Sequence, residues 1–299
     1  MSDPSLVYQL RQRFPGLTIR ENEPMKAHCS FRIGGPADVF CEPGTEAELC
    51  ALYRFLTEQG VVPAVIGNGT NLLVHDEGVR GVTMHLSEAF GSIRREGNRL
   101  YAQAGATLAK IAVFAKEQGL AGLEFAHGIP GSLGGAVMMN AGAYGGEMKD
   151  VVTSVRYLDE SGNICETAEP GFSYRHSMFT GSRCVILGAV LELKPDTPEN
   201  IHDRMLSLWA KRSAGQPLEK PSAGSTFKRP ATGYAAAMIE QAGLKGLSVG
   251  GAQVSEKHAG FVINTGSATF ADVTALMDKI TGAVYEKFGV TLEPEVKIL

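Results

Sequence analysis

Glycine is the most informative residue type in this 299-residue chain. It occurs 36 times, with dense clusters at 67–69, 119–146 and 243–251. Glycine adopts positive φ at little cost and lets the main chain approach another group closely. Such clusters are typical of tight turns and of loops that lie against a ligand. We therefore expect main chain to form much of any binding surface here.

The first cluster lies in GNGTNLLV (67–74), between two segments with the pattern of short strands, VVPAVIG and LLVHD. Two glycines among small polar residues expose successive main-chain N–H groups, which can hold a pyrophosphate. Thr70 and Asn71 add side-chain donors. The alternative is a hairpin turn in which the glycines only supply positive φ.

The second cluster contains GIPGSLGGAVMMNAGAYG (128–145), a long and uncharged segment. With so few large side chains, its main chain can lie against a large flat ligand. A helix is expected to begin at Ser132 or Leu133, with N-terminal amides that favour phosphate. The alternative is a tightly packed Gly/Ala helix in the core. The two loops together favour a dinucleotide site, and it is not of the Rossmann type because no GxGxxG occurs.

Composition excludes several classes of protein. The net charge is −4 and no block of basic residues occurs, so no nucleic-acid partner is expected. No apolar run reaches the roughly 18 residues of a membrane helix, and the N-terminal residues lack the apolar region of a secretory signal. Five cysteines without a CxxC pair indicate a reducing cytoplasm and neither a disulfide framework nor a metal site.

Periodicity predicts an α+β fold with helices at 45–60 and 107–119. Thr45 and Glu48 have the spacing of a capping box, and Thr107 is the cap of the second helix. Further expected elements are a hairpin turning at 160–163, a buried strand at 184–194, a linker at 195–200, helices at 199–215, 234–246 and 269–289, and a closing strand at 290–299. The change in pattern places a domain boundary near residue 200.

Six motifs in order carry a family resemblance. The two glycine-rich segments, FRIGGPAD (31–38), SYRHSMF (173–179), PSAGSTFKRP (221–230), AGLKGLSVGGAQVSEKHAGFVIN (242–264) and LEPEV (292–296) resemble the UDP-N-acetylenolpyruvoylglucosamine reductases, the MurB family. The absence of a long insertion between Arg175 and Ser225 resembles the shorter subclass, which lacks a tyrosine-bearing lid.

The resemblance implies a two-lobed FAD-binding domain of the vanillyl-alcohol-oxidase/MurB type at 1–200, split near residue 75. A smaller α+β substrate-binding domain would occupy 201–299, with strand 290–299 returning a catalytic residue to the flavin. FAD would be non-covalent, because the first glycine loop has no histidine. The implied FAD contacts are Ile33, Gly67, Asn68, Gly69, Thr70, Asn71, Leu72, Gly128, Pro130, Gly131, Ser132, Gly134, Gly135, Asn140, Ala141 and Gly142.

Three catalytic residues follow from the same motifs: Arg175, the proton donor Ser225, and Glu295. Read without the family, Arg175 fits a surface ion pair, Ser225 a turn residue and Glu295 a solvated charge. The implied reaction is NADPH-dependent reduction of an enolpyruvyl ether on a UDP-sugar. Hydride addition would leave charge on the substrate carboxylate, which a guanidinium can bind bidentately.

The implied contacts to the UDP-sugar are Tyr174, Lys228, Arg229, Gln253 and His258. Lys228 is also expected to ease proton donation by Ser225, and His258 can equally be an ordinary loop histidine. Many family members have Asn at the position of Arg229 and Lys at that of Gly215, so this chain departs from the family pattern at the expected pyrophosphate contacts. The sequence leaves the oligomeric state open, with a monomer as the working assumption.

Two other functions compete. A flavin oxidase or hydroxy-acid dehydrogenase shares this type of FAD domain, but many such enzymes tether FAD through a histidine near the first glycine loop. A catalytically inactive nucleotide-binding module is the other alternative, and the presence of Arg175, Ser225 and Glu295 argues against it.

Overall fold

A computed structural model describes residues 4–299, in which helices and short strands alternate irregularly, as predicted for an α+β fold. The helices are α1 (Pro4–Arg13), α2 (Glu46–Glu58), α3 (Leu108–Glu117), α4 (Leu133–Met138), α5 (Pro198–Gly215), α6 (Ala235–Gln241) and α7 (Phe270–Phe288). The strands are β1 (Thr18–Pro24), β2 (Pro36–Glu42), β3 (Ala64–Ile66), β4 (Leu72–Leu73), β5 (Val79–His85), β6 (Ile93–Glu96), β7 (Arg99–Gln103), β8 (Leu120–Ala121), β9 (Gly142–Ala143), β10 (Gly146–Glu147), β11 (Val152–Leu158), β12 (Ile164–Thr167), β13 (Val185–Glu192), β14 (Lys194–Pro195), β15 (Ser222–Ser225), β16 (Ser248–Val249), β17 (Ala252–Val254), β18 (Phe261–Asn264) and β19 (Lys297–Ile298).

The chain forms two compact units, both discontinuous in sequence. The first unit comprises the chain up to Glu21, Asp38–Asn68 and Arg80–Arg212. The second comprises Asn22–Ala37, Gly69–Val79 and Ser213–Leu299. The change of unit after residue 212 falls in the last turn of α5, so the helix continues past the boundary expected near residue 200.

Two sheets organise the first unit. One has the strand order β1-β2-β5-β3, with β3 parallel to β5. The other is antiparallel, with the order β12-β11-β13-β7-β6, and includes the predicted hairpin β11–β12. Helix α4 packs against β7 and β13. A shared apolar core contains fully buried side chains such as Leu52, Leu100 and Phe179.

Side-chain caps fix the starts of α2 and α3, and both helices were predicted. Thr107 Oγ1 accepts a hydrogen bond from Lys110 N over 3.3 Å. Thr45 Oγ1 accepts one from Glu48 N over 3.2 Å. The predicted capping box is only half formed, because the Glu48 carboxylate accepts from Gly44 N, at 2.8 Å, rather than from Thr45 N.

The second unit is built on the antiparallel sheet β15-β18-β17-β16, with α7 packed on β16 and β17. The predicted helix at 269–289 is confirmed, since Thr269 and Asp272 form a capping box and Gly289, at φ +66°, ends α7. A parallel pair, β4 and β19, also belongs to this unit, and its core includes Leu73, Val262 and Leu276.

Three predicted elements differ from the structure. The helix expected at 234–246 is shorter, since α6 ends at Gln241. The linker at 195–200 is wrong, because β14 pairs with β8 and α5 begins at Pro198, where Thr197 Oγ1 accepts from Asn200 N. The closing strand is confined to β19, because the preceding residues extend past other segments without forming a regular ladder.

We predict that Thr226→Val destabilises the second unit. Thr226 is buried, and its Oγ1 accepts a hydrogen bond from Val262 N over 3.0 Å, so valine would leave a buried N–H without that partner. The expected loss is about 1–3 kcal/mol of unfolding free energy, measured by urea denaturation. The exposed Thr291→Val is the control, with an expected change below about 0.5 kcal/mol. Equal stability of the two variants would contradict this role.

Candidate active site

The first glycine loop joins strands of different sheets. Its first strand, β3, pairs with β5, whereas β4 pairs with β19, so the alternative of a simple hairpin turn is wrong. A Cβ added to Gly67 would lie 2.1 Å from Ser132 Oγ. One added to Gly69, whose φ is +61°, would lie 2.0 Å from the carbonyl oxygen of His28. Both positions therefore require glycine for close approach.

The two glycine-rich segments meet within the first unit. Besides the approach of Gly67 to Ser132, Asn68 Nδ2 donates to the carbonyl of Pro130 over 3.2 Å. Pro130 and Gly135 are exposed, whereas Ser132 is buried. The two segments that the sequence pattern identified therefore lie against each other in this unit.

The predicted role of helix amides in the second segment is not supported. Helix α4 has only six residues, and its first two N–H groups are already used. Leu133 N donates to Ala106 O and Gly134 N to Ala104 O, each over 2.9 Å. The alternative of a buried Gly/Ala helix thus applies to α4 alone, and the rest of the segment forms loop and hairpin.

Asn140 holds the hairpin β9–β10 in place. Its φ is +45° and its side chain is fully buried. Oδ1 accepts from Lys149 N over 2.9 Å, while Nδ2 donates to Glu147 Oε2 over 2.5 Å and to the carbonyl of Ser173 over 3.1 Å. These bonds give Asn140 a positioning role, and they connect the glycine-rich segment to the turn that carries Arg175.

Arg175 occupies a strained position in a tight turn. Ser173 and His176 exchange main-chain hydrogen bonds of 3.0 and 3.2 Å, so Tyr174 and Arg175 form the tip. Arg175 has φ +54°, which costs a non-glycine residue on the order of 1 kcal/mol. Its guanidinium carbon lies 5.2 Å from the centroid of the exposed Tyr174 ring. Such strain is concentrated at functional sites, where a particular side chain is required.

Further hydrogen bonds anchor this turn to α4. Ser177 Oγ donates to the carbonyl of Met138 over 2.7 Å, and Thr180 Oγ1 donates to the same oxygen over 2.8 Å. The first unit therefore brings Arg175 and the second glycine-rich segment together. The sequence analysis did not identify Ser177 and Thr180 as positioning residues.

In the second unit, a β-bulge places Ser225 at the end of β15. Ser222 pairs with Ile263 and Ser225 with Phe261, with a shift of register between them at Gly224, whose φ is +77°. Bulges of this kind redirect a side chain, and they recur next to active sites. Ser225 is exposed. A glycine directly before the predicted proton donor was the sequence signal for this bulge.

Main-chain hydrogen bonds set Glu295 beside the residues that follow Ser225. Glu295 N donates to Thr226 O over 2.9 Å, and Asn71 Nδ2 donates to the carbonyl of Glu295 over 3.1 Å. Lys297 N then donates to Asn71 O over 2.9 Å. Glu295 is only 8% exposed. The second unit thus joins Ser225, Glu295 and the latter part of the first glycine loop, whereas Arg175 belongs to the first unit.

The entry segment 28–33 packs on the same loop. Ser30 N donates to Gly69 O over 3.1 Å, and Cys29 Sγ donates to Ile33 O over 3.1 Å. Asn264 Nδ2 also holds this segment, by donating to the carbonyl of Phe31 over 3.0 Å. Burial raises the pKa of Cys29, so this thiol is a packing group rather than a reactive one.

The expected UDP contacts already have partners within the second unit. The Lys228 ammonium pairs with the Glu293 carboxylate, which gives no support for the expected help to Ser225. Arg229 lies with its guanidinium carbon 4.2 Å from the Tyr234 ring centroid. Gln253 Nε2 donates to Gly246 O over 3.3 Å. His258 Nδ1 accepts from Gly260 N over 3.2 Å, and burial lowers its pKa, so the ring is neutral at neutral pH.

Side chains at Gly67 and Gly69 would collide with Ser132 and with the main chain of His28, so both glycines are needed for the packing of the loop itself. Within residues 4–299, no group of three His, Cys, Asp or Glu side chains is arranged to hold a metal ion. In the same part of the chain, no helix has the length and apolarity needed to cross a membrane.

Comparisons with known proteins identify two domains in this chain. Residues 37–168 match the FAD binding domain, and residues 216–299 match the C-terminal domain of UDP-N-acetylenolpyruvoylglucosamine reductase. The reductase of that name from Caldanaerobacter subterraneus is 52% identical over 93% of this chain and 92% of its own length. The one from Clostridioides difficile is 48% identical over 94% of this chain and 93% of its own length.

A solved structure shows the same fold. The reductase (MurB) from Thermus caldophilus superposes with a TM-score of 0.81 at 34% identity, over 94% of this chain and 98% of the other. The chain therefore belongs to the UDP-N-acetylenolpyruvoylglucosamine reductase family and is an FAD-dependent oxidoreductase.

Proposed function

We propose that the chain reduces UDP-N-acetylglucosamine enolpyruvate to UDP-N-acetylmuramate with NADPH, as a cytoplasmic step of peptidoglycan precursor synthesis. The observation that carries the proposal is the pairing in the second unit that sets Ser225 and Glu295 on adjoining segments. Bound FAD would supply a store for the hydride between NADPH and substrate, and it would be non-covalent because residues 67–71 contain no histidine.

Arg175 is assigned to the substrate carboxylate. Hydride addition to the terminal carbon of the enolpyruvyl group moves negative charge onto the adjacent carbon and this carboxylate. A guanidinium stays charged at neutral pH and can bind both carboxylate oxygens. The turn at 173–176 and its bonds to Asn140 hold Arg175 before substrate binds, so little reorganisation is needed when charge develops.

Ser225 is assigned as the proton donor. Its O–H bond breaks as a C–H bond forms at the carbanionic carbon, and the serine oxygen then recovers a proton from solvent. Serine is a weak acid, but the carbanion is a strong base, so this transfer is favourable when the hydroxyl is correctly placed. The bulge at Gly224 changes the register of the main chain before Ser225, and the exposure of Ser225 leaves room for substrate.

Glu295 is assigned as a protonated hydrogen-bond donor to the substrate carboxylate. Its side chain is largely buried. A neutral acid can donate a hydrogen bond to the developing dianion, whereas a carboxylate would repel it. For the uridine diphosphate, we assign Lys228, Arg229, Gln253, His258 and Tyr174.

The proposed reaction can be tested on the flavin spectrum of the purified holoenzyme without oxygen. NADPH should remove the visible flavin absorbance, and the enolpyruvyl UDP-sugar should restore it in one equivalent. A flavin oxidase would instead be reduced by a hydroxy acid and reoxidised by oxygen. A binding module would show neither change, and either result would contradict the proposal.

The Ser225→Ala variant separates the two half-reactions. NADPH should reduce its flavin at the wild-type rate, within about twofold, since no proton donor is needed there. Reoxidation by the enolpyruvyl substrate should slow by about 10²–10⁴-fold in stopped-flow absorbance. The exposed Ser267→Ala serves as the matched control and should match the wild type in both steps. Equal slowing of both half-reactions in Ser225→Ala would refute the assignment.

Replacing Glu295 by Gln and by Ala tests its protonation state. Gln can still donate a hydrogen bond, so Glu295→Gln should reoxidise within about 10-fold of the wild type, whereas Glu295→Ala should lose about 10²–10³-fold. Glu286→Gln, on the exposed side of α7, is the control for loss of a carboxylate. If Gln were as slow as Ala, the protonated form would be the wrong assignment.

A further inference from the structure

Helix α5 belongs to the first unit up to Arg212, and the turn before this residue packs against the start of the second glycine-rich segment. The point that a Cβ on Gly128 would occupy lies 3.0 Å from Arg212 Cδ and 3.9 Å from Trp209 Cε3. A side chain at Gly128 would press on the Arg212 side chain, because this part of α5 lies over it. The contact brings a cation to the glycine-rich surface from a part of the chain outside residues 37–168, which match the FAD binding domain.

Arg212 differs from Arg204, the other arginine of α5, in its partners. Arg204, two turns earlier in α5, binds the carboxylates of Glu124 and Asp196. Arg212 is partly buried, yet among residues 4–299 no ion pair joins it to a carboxylate. Burial lowers the pKa of Arg212, because a guanidinium loses hydration there without a compensating anion.

Tyr144 sits at the tip of the hairpin β9–β10 in a conformation that disfavours it. Tyr144 has φ +53° and Gly145 has φ +89°, which is the pattern of a type I′ turn. The first central position of a type I′ turn favours Asn, Asp or Gly, so the backbone conformation of Tyr144 is unfavourable for tyrosine. The side chain is 47% exposed, at the tip of the hairpin that follows the second glycine-rich segment.

The glycine-rich segments lack a cation of their own. Residues 67–72 and 128–142 contain no Lys or Arg, and the first two amides of α4 are used by Ala104 and Ala106. The pyrophosphate of a dinucleotide carries two negative charges, and charge-assisted hydrogen bonds to Arg are the strong way to bind them. Arg212 supplies the positive charge that these segments themselves do not have.

We propose that Arg212 binds the pyrophosphate of FAD at the Gly128 end of the glycine-rich segment. The inference rests on FAD binding by this family. We assign the anion to FAD rather than to NADPH or the UDP-sugar because Arg212, Tyr144 and Gly128 all belong to the first unit, which contains most of the FAD binding domain.

FAD titration of the apoprotein, followed by flavin fluorescence, tests the proposal. Arg212→Met keeps an unbranched side chain over Gly128 but removes the charge, and it should raise the Kd for FAD at least about 10-fold. Arg212→Lys should recover part of this loss. Lys211→Met, at the exposed neighbouring position, should bind FAD as the wild type does. An unchanged Kd for Arg212→Met would overturn the proposal.

Phosphorus NMR of the holoenzyme gives a readout independent of affinity. The pyrophosphate resonances of bound FAD should shift between wild type and Arg212→Met, while the visible flavin spectrum stays the same. Unshifted resonances, or a raised KM for NADPH or the UDP-sugar at saturating FAD, would overturn the assignment and point to another anion. If the wild type bound no FAD at all, the proposed function would fail along with it.

Discussion

The hydrogen bonds on the main chain of residues 293–299 hold the second unit's candidate chemistry together. Glu295 N donates to Thr226 O on one side, while Asn71 Nδ2 and the β4–β19 pairing hold the other. Residues far apart in sequence thereby share one short segment. Because main-chain bonds of this kind have narrow geometric limits, the positions of Ser225 and Glu295 are coupled. The first glycine loop is coupled to them through Asn71.

In the first unit, main chain with positive φ holds the candidate groups in place. Arg175 and Tyr144 both adopt positive φ, and each is placed by a two-residue turn. Asn140 connects these turns, because its buried side chain bonds to both the hairpin and Ser173. A side chain held in this way loses little entropy when it binds an anion. The arrangement suits side chains that bind an anion without a change in main-chain conformation.

Much of the fold was predictable from local signals. The caps Thr107 and Thr269 mark helix starts, and the turn at 160–163 marks a hairpin, because each depends on residues close in sequence. The linker at 195–200 and the complete capping box at Thr45 were wrong. In the first case, β14 pairs with β8. In the second, Gly44 N donates to the Glu48 carboxylate in place of Thr45 N.

The sequence by itself determined where glycine clusters lie, and it indicated a guanidinium, a hydroxyl and a carboxyl within family motifs as candidate catalytic groups. Only the tertiary structure decided what those groups contact. It showed that the amides of α4 are used by Ala104 and Ala106, that Lys228 pairs with Glu293, and that Arg212 lies over Gly128. These outcomes depend on strand pairing and helix packing across long sequence separations, and no local pattern encodes such contacts because each requires the rest of the chain to be in place.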